Sequence, residues 1–79
     1  MKLHASLTLF SATTLAAMAD ELIDYLPETR DTSVGGGEDT IRDIIHLCGA
    51  YADLMGTDDP STIALVGRAS AAIQAWLLG

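Results

Sequence analysis

Three stretches of this chain, Leu3–Leu26, Glu38–Met55 and Pro60–Leu78, carry apolar residues at helical spacing. A helix buried on one side needs an apolar arc of only about 100°. The second stretch exceeds that. Ile41, Ile44, Ile45, Cys48, Ala52 and Met55 form one stripe, and Leu47, Tyr51 and Leu54 form another beside it. The pattern predicts an all-α fold, a small three-helix bundle in one domain over residues 1–79. Its surplus of apolar surface is expected to oligomerise through helix faces, as a homodimer or larger assembly.

At 79 residues the chain is short for a large core of its own. Its 49% hydrophobic content is that of a folded domain, not of a disordered one. Eleven Asp and Glu against four Lys and Arg give a formal net charge of -7. Nucleic acids and anionic lipids are held by cations that displace counterions, so direct binding to either is disfavoured. A basic protein, including one that itself holds nucleic acid, is the partner such a surface attracts.

Helix boundaries follow from local signals. The first helix is expected over residues 5–26, stopped by Pro27, because the residue before a proline is disfavoured in the α region. Residues 27–37, with three glycines, read as a flexible loop. Glu38 and Asp39 open a helix over 38–55, where the dipole favours acids, and Gly56 is placed to end it. Asp59 as N-cap with Pro60 behind it starts a third helix over 60–78. The first two helices are expected to form an antiparallel hairpin. The third is expected to pack across them through its ridge of Gly67, Ala71 and Ala75, small residues that permit close approach.

The beginning of the chain also reads as a secretory signal peptide over residues 1–19, with Ala17-Met18-Ala19 before Asp20. Against cleavage, polar residues interrupt the apolar run, and Leu15, Met18, Leu22 and Leu26 carry the helical stripe through the cut. The expectation is therefore a structural first helix and a cytoplasmic protein, with a secreted or periplasmic product as the alternative. No segment reaches the roughly 18 continuous apolar residues of a membrane span.

Motifs that carry chemistry are weak. Gly35-Gly36-Gly37 precede Glu38 and Asp39 where a phosphate loop needs lysine and a hydroxyl. His46 shares the polar side of its helix with Arg42, Asp43 and Asp53, with no nucleophile at helical spacing. Cys48, the one cysteine, sits between Leu47 and Tyr51 and reads as a buried structural thiol. His46, Cys48 and distant acids lack a zinc-ligand spacing, and Asp53–Asp59 lacks the alternating oxygens of a calcium loop. The chain is expected to have no catalytic residue, cofactor or metal.

Two groups of residues are candidates for partner binding. Asp20, Glu21, Asp24 and Glu28 form an acidic edge at the C-terminal end of the first helix, where negative charge is unfavourable. Carboxylates one turn apart approximate the spacing of phosphates along a strand, so this edge suits the basic sites of a nucleic-acid-handling protein. Leu47, Tyr51, Leu54, Gly67, Ala71, Ala75 and Trp76 form the candidate oligomer or docking face. Trp76 and Leu78 lie at the chain end and read as uncovered interface anchors. In size and charge the chain resembles phage-encoded inhibitors such as anti-CRISPR proteins, toxin-immunity proteins and antiactivators of quorum regulators. The resemblance implies a non-enzymatic, stoichiometric inhibitor or regulator of a larger protein. The alternative is a structural helical oligomer or assembly subunit.

Overall fold

In the computed structural model, residues 10–31 and 33–79 are described. Among these residues there are three α-helices, α1 (Ala12–Tyr25), α2 (Gly37–Met55) and α3 (Pro60–Leu78), with a 3-10 turn (Leu26–Arg30) after α1. No strand occurs among the described residues. The chain is all-α, as the periodicity predicts.

α1 starts later than expected. Ser11 has extended backbone, and its side-chain oxygen accepts from the Thr14 N–H at 3.2 Å, so the helix begins at Ala12. The hydroxyl satisfies an amide that has no partner inside the helix, which fixes the boundary. The part of the expected helix over residues 5–9 lies outside the described residues.

Pro27 does not end the helical path outright. Leu26 keeps α backbone (φ -50°, ψ -43°), and the chain tightens into the 3-10 turn with Pro27 near its start. The turn is anchored because Leu26 and Thr29 are buried in it. Its geometry corrects the reading of residues 27–37 as a plain loop. Gly36 then takes a left-handed conformation (φ 80°), and its carbonyl accepts from the Thr40 hydroxyl at 2.9 Å. α2 starts at Gly37, one residue before Glu38.

α2 ends on Gly56 (φ 96°), a conformation open to glycine and costly for other residues. Asp59 caps α3 as its sequence position predicts: its carboxylate accepts the Ser61 N–H at 2.9 Å. The Ser61 hydroxyl also donates to Asp59 and accepts from the Tyr51 hydroxyl at 2.8 Å. This chain of hydrogen bonds ties the last turns of α2 to the start of α3.

Contacts set the directions of the helices. Asp20 meets Arg68, and Thr29 meets Trp76, so α1 and α3 run the same way. Tyr51 meets Ser61 near one end of α2, while Gly37 at the other end lies under the Trp76 ring, so α2 runs against α3. The most extensive helix contact joins α1 and α2. Leu15 and Ala19 of α1, Leu26, Ile44, Leu47 and Tyr51 of α2 and Leu65 and Ala69 of α3 form the buried core.

The double stripe of α2 has a simple cause. As the middle helix it packs on α1 and on α3, and it needs an apolar arc for each. Leu47 and Tyr51 are buried inside the monomer (3% and 7% exposed), which removes them from the candidate docking face. Leu54 stays exposed.

Candidate functional site

The expected ridge of α3 is also relocated. α3 packs through Thr62, Leu65, Ala69, Ala72, Ile73 and Trp76. Gly67, Ala71 and Ala75 are exposed, and the space where Gly67 would carry a Cβ is open. The larger residues Leu65, Ile73 and Trp76 displace the small ones from the core because they bury more apolar area.

The other side of α3 carries exposed apolar surface, as α2 does at Ile45, Leu54 and Met55. Ile63, Val66, Ser70 and Leu77 stand at i, i+3, i+7 and i+14, with Gly67, Gln74 and Leu78 alongside. Ile63 is 60% exposed, Val66 42%, Leu77 66% and Leu78 89%. None of these seven residues is charged. Periodicity marks α3 as apolar without showing which side of it the other helices occupy. By length and composition α3 could cross a membrane, with a mean hydropathy of 1.2 over 18 residues. That mean combines a face committed to α1 and α2 with the exposed one.

Trp76 is not an uncovered anchor. Its indole N–H donates to the Thr29 hydroxyl at 2.8 Å, and that hydroxyl donates to the Leu26 carbonyl at 2.7 Å. The Arg30 guanidinium stacks 4.9 Å from the Trp76 ring centre and donates to the Trp76 carbonyl. Gly37 lies so close to the ring that a Cβ there would overlap it. A partner for the indole was inferable from chemistry, since a half-buried tryptophan N–H needs an acceptor. Which acceptor was not inferable.

Around this corner, Thr29, Arg30, Gly35, Gly36 and Trp76 line an open depression, together with Glu38 and Asp39. The two acids face the same space as the α2 N-terminus and oppose an anion there. Cys48 is buried, and that burial pushes its thiol above the ordinary range. A raised thiol is a poor nucleophile. Among the described residues no three His, Cys, Asp or Glu stand together as a metal site.

The acidic edge divides in the structure. Arg68 grips Asp20 through two nitrogens, with Nη2 at 2.9 Å and Nε at 3.1 Å from Oδ1. Asp20 is thereby compensated from another helix. Glu21, Asp24 and Glu28 are exposed, with Glu28 carried by the 3-10 turn and not by α1. Regular one-turn spacing along a single helix therefore holds only for Asp20 and Asp24.

No family model, curated protein or solved structure matches this chain.

Proposed function

We propose that this chain is a non-enzymatic, acidic protein-interaction module: a stoichiometric inhibitor or regulator of a larger protein. The exposed apolar outer face of α3 carries the reading. Four large aliphatic side chains, Ile63, Val66, Leu77 and Leu78, stand in solvent on one face of this helix, more than the three exposed on α2 (Ile45, Leu54 and Met55). Contiguous apolar surface of this kind marks interaction sites, because covering it releases water from it.

The net charge of -7 and the exposed Glu21, Asp24 and Glu28 favour a basic surface on the partner, including a nucleic-acid-handling protein. Charges at the rim raise the association rate and select partners, while apolar contacts slow dissociation. In this reading the protein works in the cytoplasm with residues 1–19 retained. Support comes from Leu15 and Ala19, which fill the core and would leave with a cleaved signal.

Capture from a lysate of the native host tests the proposal, using wild-type protein beside two variants. Val66→Glu with Leu77→Glu should abolish capture. Glu21→Lys with Asp24→Lys and Glu28→Lys should weaken it and flatten its salt dependence. Capture unchanged by both variants contradicts the reading. The same α3 face favours a second reading, a structural helical oligomer in which the acids only keep the assembly soluble.

A further inference from the structure

The reading of α3 as an interaction surface leaves open what covers it, and this inference rests on that reading. We propose that the outer face of α3 seats a second copy of this chain, its α3 antiparallel to the first, with the two-fold axis passing between Ser70 and Ala71.

Charge gives the first argument. Two copies each carrying -7 repel one another wherever acids face acids. Ile63, Val66, Gly67, Ser70, Gln74 and Leu77 form a strip without charge, and Arg68 beside it is held by Asp20. Across such a strip two acidic copies approach without opposed carboxylates.

Side-chain size gives the second. Large residues stand at both ends, Ile63 and Val66 at one and Leu77 and Leu78 at the other, with Gly67, Ser70 and Ala71 between them. Crossing helices approach most closely where the residues are small. Gly67 has open space at its Cβ position, so the backbone is accessible at that crossing.

Symmetry gives the third. Antiparallel pairing about the midpoint sets Ile63 against the partner's Leu78 and the Gly67 notch against the partner's Gln74. Each contact then occurs twice, as a two-fold interface requires. Parallel pairing would instead bring Asp58 and Asp59 of both copies together at one end. α3 has 19 residues and is about 28 Å long. One helix face of that length covers less than the ~800 Å² per partner of a standard interface, so the dimer is expected to be weak and reversible.

Sedimentation equilibrium of the full chain should show a monomer–dimer equilibrium. Val66→Glu should raise its dissociation constant about tenfold or more. Ile45→Glu, on exposed α2 surface, should leave it unchanged, with helicity by circular dichroism intact in both. In a Cys48→Ala background, oxidising a mixture of Ile63→Cys and Leu78→Cys proteins should give the mixed disulfide. A wild-type monomer at all concentrations, a dimer indifferent to Val66→Glu, or Ile63→Cys joined preferentially to itself each overturns the proposal. If the wild type is monomeric while Val66→Glu still abolishes capture of a foreign protein, only the second copy is refuted as occupant. If neither changes, the interaction face is refuted too.

Discussion

The indole N–H of Trp76 and the hydroxyl of Thr29 meet at 2.8 Å, joining the end of α3 to the turn that follows α1. The two residues lie 47 positions apart, and their bond closes the corner where Gly37 begins α2. Trp76 therefore belongs to the fold before it belongs to any interface.

Removing the donor should be costly. Trp76→Phe keeps an aromatic ring but leaves the Thr29 hydroxyl without its indole partner in a buried setting. A loss of about 1–3 kcal/mol is expected in denaturant unfolding. Thr29→Val in the Trp76→Phe background should not restore that loss, because it also takes the hydroxyl donor away from the Leu26 carbonyl.

A polar group at Thr62 invites the opposite change. Its hydroxyl is buried on the inner face of α3 without a hydrogen-bond partner among the described residues. Thr62→Val preserves the shape and removes the unsatisfied oxygen, so stability should rise by about 1 kcal/mol. Thermal unfolding of the two proteins side by side checks this.

Much of the fold was legible in the sequence, for reasons that differ by element. Asp59-Pro60 and Gly56 are local signals, readable because a cap or a positive φ depends on only a few adjacent residues. The start of α1 at Ser11 was missed, since the apolar period continues upstream of a serine whose capping role only geometry reveals. The site was less legible. Leu47 and Trp76 look like interface residues in a list of apolar positions, and only the placement of α1 and the 3-10 turn shows them covered. Conversely, Ile63 and Val66 are apolar positions that the same placement leaves exposed. The Gly67, Ala71 and Ala75 ridge suggested close packing, but leucine and tryptophan on the opposite side bury more surface and set the orientation of α3.

Acid should loosen the start of α3. Hydrogen bonds from the Ser61 hydroxyl and N–H hold the Asp59 carboxyl below the usual carboxylate range. A pKa lower in the folded than in the unfolded state gives stability that is present above the unfolded value, about 4. It is lost as pH falls through the folded value. Melting temperature should therefore drop on acidification below about pH 4, with a shallower drop in Asp59→Asn, which still caps but does not titrate. The Ser33 contacts lower Asp31 in the same way and contribute in the same direction.

A chain that begins at Asp20 should fail to fold. It lacks the Ser11 cap and the fully buried Leu15 and Ala19, and it retains less than half of α1. Circular dichroism should show most of the helical signal gone and no cooperative thermal transition. A cooperative transition in that shortened chain would favour the secreted product.

Residue-resolved dilution tests the role of α3 most directly. Backbone amide spectra of the full chain are recorded from millimolar to micromolar concentration. The expected result is that shifts concentrate at Ile63, Val66, Gly67, Ser70, Gln74 and Leu77, while Leu65 and Ala69 on the inner face move little. Concentration-independent spectra, or shifts gathered on α1 and α2 instead, would contradict the assignment of the outer face of α3 as the surface through which this protein meets its own copy.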